Sequence, residues 1–214
     1  MKTVIIGARA DGHAKVVLEI LLAMKCHETA GFIDDDPNKK GSMIRDYPIL
    51  GSMLELPDLI KSMKIRKAIV AIGHNSMRRK LTEDLILMGL EIVNAVHPTV
   101  HMDSDVKIGY GCYIGQAVVI VTGTEIGNCV NLHTGASIDH DNIIEDGANI
   151  APGVHTAGRV KIGQDAFIGI GSVVIPDIQI GKACIVGAGS VVVKNVPENT
   201  MVLGVPAKIV KQLS

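Results

Sequence analysis

Large aromatic side chains are almost missing from this chain. Its 214 residues include two Phe, three Tyr and no Trp, although 47% of them are apolar. A core built on rings is excluded, so the interior must be assembled from Val, Ile, Ala and Met in many small, similar pieces. A surplus of one charge is missing too. The 21 basic and 22 acidic residues leave a formal net charge of −1, which argues against a protein that mainly grips nucleic-acid phosphates. No apolar run approaches the roughly 18 residues of a membrane span. The opening MKTVIIGARADG reads as a strand entering a Gly-rich turn, without the cleavage pattern of a secretory leader. The four cysteines (Cys26, Cys112, Cys129 and Cys184) form no CxxC pair. Free thiols in a reducing cytoplasm are the simpler reading, and a zinc–thiolate site is not expected.

What is abundant is a repeat. Stepping by six from Ile108 meets Ile114, Ile120, Ile126, Leu132, Ile138, Ile144, Ile150, Thr156, Ile162, Ile168, Val174, Ile180, Val186 and Val192. Fourteen of these fifteen anchors are Ile, Leu or Val. Small residues fill the gaps, as in IGYGCY, IGQDAF and VGAGSV. A helix needs apolar spacing near 3.6 and an alternating strand a spacing of two. A period of six instead fits a short flat strand followed by a turn, with three such units closing one triangular coil of eighteen residues. The anchor points inward, and the Gly or small residue is expected to let the backbone turn. Five coils stacked at roughly 4.8 Å give a prism about 24 Å tall whose coils bury their anchors only against their neighbours.

Residues 1–98 follow another rule. Thr3–Ile6 reads as a strand, Gly7–Gly12 as a turn and His13–Met24 as a helix. Ala30–Asp36 is a strand running into an acidic turn, and Gly51–Met63 contains a short helix. Lys67–Gly73 is a buried strand, Asn75–Gly89 an amphipathic helix and Glu91–Pro98 a last strand. This βαβ alternation predicts a small parallel sheet covered by helices. Pro98 and the polar run after it mark a domain boundary, giving an α/β domain (1–98), an all-β helix of hexapeptide repeats (99–196) and a C-terminal cap (197–214) over the open end.

Two features of the first domain suit a nucleotide. A Gly-rich turn opening a helix offers bare N–H groups and a helix dipole to a phosphate. An acid at the end of the second strand, Asp34 or Asp35, could accept hydrogen bonds from a ribose or base. GxGxxG is absent and no GK[ST] follows, so a plain turn with an acidic cap explains the same residues. In the repeat, His140 sits in a DHD triplet, where a neighbouring carboxylate can hold a neutral imidazole in one tautomer; an ordinary surface histidine fits equally. His133, His140 and His155 occupy different coil positions, so they do not form the converging set that a tris-His zinc site requires, and no metal is expected.

The hexad pattern resembles the left-handed parallel β-helix of hexapeptide-repeat acyltransferases, and the left hand comes from that resemblance. Read whole, the chain resembles the sialic acid O-acetyltransferase and bacillosamine N-acetyltransferase family. The matching segments are IIGARADGHAKVV, GFIDDD, VAIGHNSMRRKL, VHPTV, TGASIDHDNIIEDGANIAPGV and GVPAK. The resemblance implies a Rossmann-like first domain that holds a sugar or nucleotide sugar through Gly7, Gly12, His13, Asp34, Asp35 and Asn75. It also implies a homotrimer with acetyl-CoA in the cleft between adjacent prisms. His140 would be the general base and Asp141 the acid orienting it. Asn149 stands near the thioester where the family often has His. His133 stands where the family usually has Asn, and with His155 would line the site. The Gly-rich turn is two residues longer than the family's usual form. The acceptor amine or hydroxyl would attack the thioester directly, with a backbone N–H near Gly158 meeting the oxyanion. Gly169, Gly171 and Gly187 would let the pantetheine arm lie close to the coils, and Lys208 would meet a CoA phosphate. Two other functions fit parts of the pattern: a non-catalytic nucleotide-binding or assembly module, and a metal hydratase like the carbonic anhydrases that share the fold. Whether nitrogen or oxygen is acetylated stays open.

Overall fold

A computed structural model describes residues 1–7 and 12–213. The chain divides into two compact units, Met1–Pro98 and Thr99–Ser214.

The first unit is a six-stranded sheet. Its elements are β1 (Lys2–Ile6), α1 (His13–Met24), β2 (Glu28–Ile33), β3 (Met43–Ile44), β4 (Tyr47–Gly51), α2 (Leu56–Met63), β5 (Ile65–Val70), α3 (Asn75–Leu87) and β6 (Glu91–Ile92). The order is β3-β4-β2-β1-β5-β6, parallel except at the β3–β4 hairpin. Helix α1 buries Ala14, Val17, Leu18 and Leu21, the one-sided stripe its helical spacing predicts. It stops at Lys25, which takes a left-handed conformation (φ 57°) and returns its N–H to the Leu22 carbonyl, a helix-ending cap. Val4, Ile6, Ile33, Leu56, Ile65, Val70 and Leu85 form one buried cluster.

Several boundaries differ from the sequence reading. Gly51 ends a strand, and the helix expected over Gly51–Met63 begins only at Leu56. The β3–β4 hairpin has no counterpart in that reading: Pro48 sits within β4, and Arg45 turns the hairpin at φ 51°. The last strand breaks into two short pieces, Glu91–Ile92 beside β5 and Ala95–Val96.

The second unit is the left-handed parallel β-helix. Two-residue strands recur every six residues from Lys107–Ile108 to Val191–Val192. As far as Val173–Val174, each pairs in parallel with the strand eighteen residues on; Tyr113, Asn131, Asn149, Phe167 and Ile185 form one such ladder. Three flat sheets result, joined by three columns of corners. The second residue of each strand is the inward anchor, and Ile120, Ile138, Ile150, Ile168, Val174 and Val186 are fully buried. Each such side chain contributes roughly 1.5–3 kcal/mol by leaving water. Thr156, the odd anchor, is buried as well.

The glycine after an anchor has a different role from the one expected. Gly163 and Gly169 do not adopt left-handed φ; a Cβ on either would stand 2.6 Å from the amide nitrogen of Lys182 or Ala188 on the next coil. They permit stacking. Turning falls to other corner residues with positive φ: glycines such as Gly111, Gly135, Gly153 and Gly189, as expected, and non-glycines among them Asp141, Arg159 and Asp177. At the far end Thr200–Gly204 adds to the Ile185–Val186 strand, and Ala207–Gln212 folds back antiparallel. The C-terminal segment thus lengthens one sheet, and its outer strand carries Lys208 and Lys211, charges that discourage further strand addition. No helix among the described residues is long and apolar enough to cross a membrane, and among the described residues no cysteine forms a disulfide.

Candidate active site

His140 lies at the prism corner between the strands Ser137–Ile138 and Ile143–Ile144. Its side chain is 41% exposed. His140 Nδ1 lies 2.8 Å from Asp141 Oδ2. A carboxylate can only accept, so Nδ1 donates to it, and in the neutral ring Nε2 is then the nitrogen that presents its lone pair. Asp139 Oδ1 accepts the His140 backbone N–H at 2.8 Å.

The turn is held from inside. Asn142, fully buried, directs Nδ2 to the carbonyls of Asp139 (2.7 Å), Ala157 (2.9 Å) and His140 (3.2 Å). Buried Thr124 donates its hydroxyl to the Asp139 carbonyl at 3.0 Å. The equivalent places on the next two coils hold Val160 and Ile178, so this polar bracing sits beneath the His140 turn. Sequence reasoning passes over Thr124 and Asn142. Their signal is a polar break in an aliphatic column.

Glycines flank the pair. A Cβ on Gly123 would collide with Asp141 Oδ1, and one on Gly158 with His140 Nε2. Among the described residues the Gly158 N–H has no hydrogen-bond acceptor, whereas the N–H groups of Thr122 and His140, at the same place on the two preceding coils, meet the carboxylates of Asp103 and Asp139. A free lone pair on Nε2 and a free N–H donor on Gly158 therefore belong to one corner of the prism.

The other residues singled out on the prism are spread over its faces. Asn149 is buried in the ladder between Asn131 and Phe167, and its Oδ1 has no partner. His133 stacks against the Tyr113 ring with centroids 5.1 Å apart; burial raises the Tyr113 phenol above its ordinary pKa. His155 Nδ1 sits 2.6 Å from Ser137 Oγ. Of the three glycines expected to expose backbone, only Gly171 does; Gly169 is stacked under Ala188 and Gly187 is covered by Leu203. Lys208, with Lys194, borders an apolar cavity of about 330 Å³ formed by Val192, Val196, Pro206 and Ile209. Among the described residues, no group of three or more His, Cys, Asp or Glu side chains could hold a metal ion.

In the α/β unit, Gly7 and Gly12 are described, while the turn residues 8–11 between them lie outside the described residues. A Cβ on Gly7 would meet Ala14 Cβ at 3.2 Å, so this glycine lets β1 and α1 approach. Gly12 starts α1 at φ 53°, and His13 is its first residue. Asp34 is buried; its carboxylate accepts the Asp36 N–H and pairs with Lys39. Asp35 is exposed and accepts the Met53 N–H at 2.8 Å. Asn75 opens α3, and its Oδ1 accepts from Arg78 Nη2 at 3.2 Å. Arg78 is fully buried and also donates to the Ile72 carbonyl at 3.0 Å, bracing the turn from β5 into α3. Nothing in the sequence marks it, because an arginine in an amphipathic helix reads as surface. A cavity of about 470 Å³ carries three cations, Lys15, Lys39 and Arg45.

Comparison with known proteins decides the family. Residues 2–85 match the PglD N-terminal domain, and residues 159–194 match the bacterial transferase hexapeptide repeats. The chain is 30% identical over 173 residues to GDP-perosamine N-acetyltransferase of Escherichia coli O157:H7, covering 79% of this chain and 76% of that one. The chain belongs to the sialic acid and bacillosamine family of sugar acetyltransferases. It is also similar to the crystal structure of PerB from Caulobacter crescentus in complex with CoA and GDP-perosamine, with TM-score 0.92, 37% identity and coverage of 99% and 98% of the two chains. The acetyltransferase domain of PglB from Neisseria gonorrhoeae, in complex with acetyl coenzyme A, gives TM-score 0.88 and 30% identity, with 98% of each chain covered. This sugar acetyltransferase is an acyltransferase, and acetyl-CoA is its co-substrate.

Proposed function

We propose that this enzyme N-acetylates an amino sugar carried on a nucleoside diphosphate, by direct attack of the amine on acetyl-CoA with His140 as general base. The observation that carries the reading is the His140 corner: a lone pair on Nε2, a proton on Nδ1 held by Asp141, and the unengaged N–H of Gly158 beside the ring. The amine nitrogen attacks the thioester carbon. Nε2 takes the proton the amine loses, and Asp141 stabilises the imidazolium that forms. The Gly158 N–H meets the oxyanion. As the C–S bond breaks, the CoA thiolate takes the proton back from His140, and no acyl-enzyme is needed.

Nitrogen rather than oxygen is favoured by two similar proteins, GDP-perosamine N-acetyltransferase of Escherichia coli O157:H7 and perosamine N-acetyltransferase of Caulobacter crescentus, named for an amino sugar. The three cations at the α/β cavity suit the diphosphate, and Asp35 and Asn75 suit its nucleoside and sugar. On the prism, Asn149 and Gly171 serve the acyl end of acetyl-CoA, and Lys194 and Lys208 its phosphates. Exposed Val119, Phe167, Ile170 and Val173 support a homotrimer with the cofactor between prisms, and cysteines without a disulfide among the described residues fit a reducing cytoplasm. The test is turnover of a panel of nucleotide-linked amino sugars and free sialic acid with acetyl-CoA. An amino-sugar substrate should be acetylated on nitrogen, and His140→Ala should lower kcat by about 10²–10⁴ with little change in either dissociation constant. Near-normal turnover by that variant would refute the base, and turnover of sialic acid alone would refute the acceptor.

A further inference from the structure

One cluster of charges stands directly on the His140 corner and has no role in the steps above. The corner column continues from Asp141 to Arg159 and Asp177 at successive intervals of eighteen residues. Coil-to-coil hydrogen bonds keep that register: the Arg159 N–H donates to the His140 carbonyl at 2.9 Å, and the Asp177 N–H to the Gly158 carbonyl at 3.2 Å. Arg159 and Asp177 form a two-pronged ion pair, with Nε to Oδ1 at 2.6 Å and Nη2 to Oδ2 at 3.0 Å. Both side chains are more than half exposed. Exposed pairs of this kind contribute little to stability, yet this one is bidentate and set one coil from the reacting imidazole. All three residues of the column adopt left-handed φ, between 57° and 65°, a conformation that non-glycine residues seldom occupy.

We propose that Arg159 and Asp177 are positioning residues for the transfer. Stacked on the His140–Asp141 pair, they place a carboxylate and a guanidinium of opposed and nearly balancing influence beside the imidazole, so that losing one of the two alone displaces the pH at which the ring accepts a proton. The inference rests on His140 being the base. The field reaches the pair in both directions. The Asp177 carboxyl is held below its ordinary value mainly by the Arg159 hydrogen bond, with His140 a smaller cause. Arg159 is raised chiefly by Asp177, with Asp141 contributing. The other charges facing His140 are Asp139 and Asp141 on its own turn, Asp103 and Asp105 at the same corner two coils back, and His155 and Lys161 on the flanking strands one coil on. Lys161 is engaged by Glu145 at 2.8 Å, and Asp105 by Thr122 and Gly123. Among these, Arg159 and Asp177 are joined to each other, so that removing either unbalances the other.

The test combines the pH profile of kcat/KM with an NMR titration of the His140 ring, in the full-length protein and in Asp177→Asn, Arg159→Gln and the double variant. Asp177→Asn should move both the kinetic acid limb and the ring titration to lower pH. Arg159→Gln should move both to higher pH, each by about 0.3–0.5 pH unit at low salt. The double variant should return close to the parent, and 0.5 M NaCl should shrink both shifts. If the ring titration stays put, or moves the same way in both single variants, the pair has no such role, whatever His140 does. If the ring titration moves in opposite directions but the kinetic limb does not follow, His140 is not the base, and the pair's role in transfer falls with it.

Discussion

The two units solve the same problem by opposite routes. In the α/β unit every layer is different: α1, α2 and α3 pack on a sheet whose neighbours β1 and β5 are about sixty residues apart in sequence. In the prism every layer is nearly the same, and as far as Val173–Val174 each strand pairs with the one eighteen residues on. The first route yields turns of unique shape, such as the Arg78-braced step into α3, suited to recognising one particular ligand. The second yields columns, in which a functional residue is defined by what stands one coil before and after it. Where chemistry is placed, the column departs from its pattern: Asn142 and Thr124 inside, and glycine at positions 123 and 158 outside.

Four measurements would break or sharpen this contrast. The largest effect is expected from Ile168→Asp. A charge facing an aliphatic column has no partner and costs several kcal/mol at least, so the melting temperature should fall by about 10–20 °C or the chain should fail to fold. An unchanged melting curve would mean that the anchors do not carry the prism.

Gly158→Ala comes next. The backbone there is not left-handed, but the added methyl occupies the place of the imidazole edge. Turnover should fall by about tenfold or more while the melting temperature changes little, since the general-base contribution spans about 10²–10⁴ and only part of it should be lost. Wild-type turnover would show that His140 need not sit where the structure puts it.

In the α/β unit, Asp35→Ala should raise the acceptor KM severalfold and leave that of acetyl-CoA unchanged. The reverse pattern would show the two ligands to be exchanged between units.

The smallest effect is a pH dependence confined to the first unit. Burial, then the nearby Lys67, depress the His27 pKa below its ordinary 6.5. The unfolded chain therefore binds a proton first as pH falls, and stability present above that value declines below it. His27→Gln should remove this slope from the melting temperature. A slope that survives the substitution belongs to another group.

The contrast also explains what could be read in the sequence. Along the prism, folding constraints and sequence spacing coincide, so the inward anchors, the three-sided coil and the stacking column through His140 follow from counting. The purpose of the glycine that follows an anchor does not, because a close approach between coils leaves the same residue choice as a sharp turn. In the α/β unit the helical stripe of α1 is plain. The β3–β4 hairpin is not, since Pro48 within a strand reads as a break. Asp34 and Asp35, adjacent and chemically alike, end in opposite situations, one buried against Lys39 and the other at the surface. Strand alternation decides that, and at the end of a strand the sequence does not say where alternation stops. The same holds for Arg78, whose burial depends on the turn it braces.

The fixed interval of eighteen between paired strands has a consequence for how such a chain can change in length. Removing six residues between His140 and Gly158 would leave every anchor facing inward, yet would carry all later residues round to the next face, separating the imidazole from that glycine. Removing eighteen would restore each face but slide one member of every column past another. Gains and losses here are quantised, and the only increments that preserve a working corner are whole coils added beyond it.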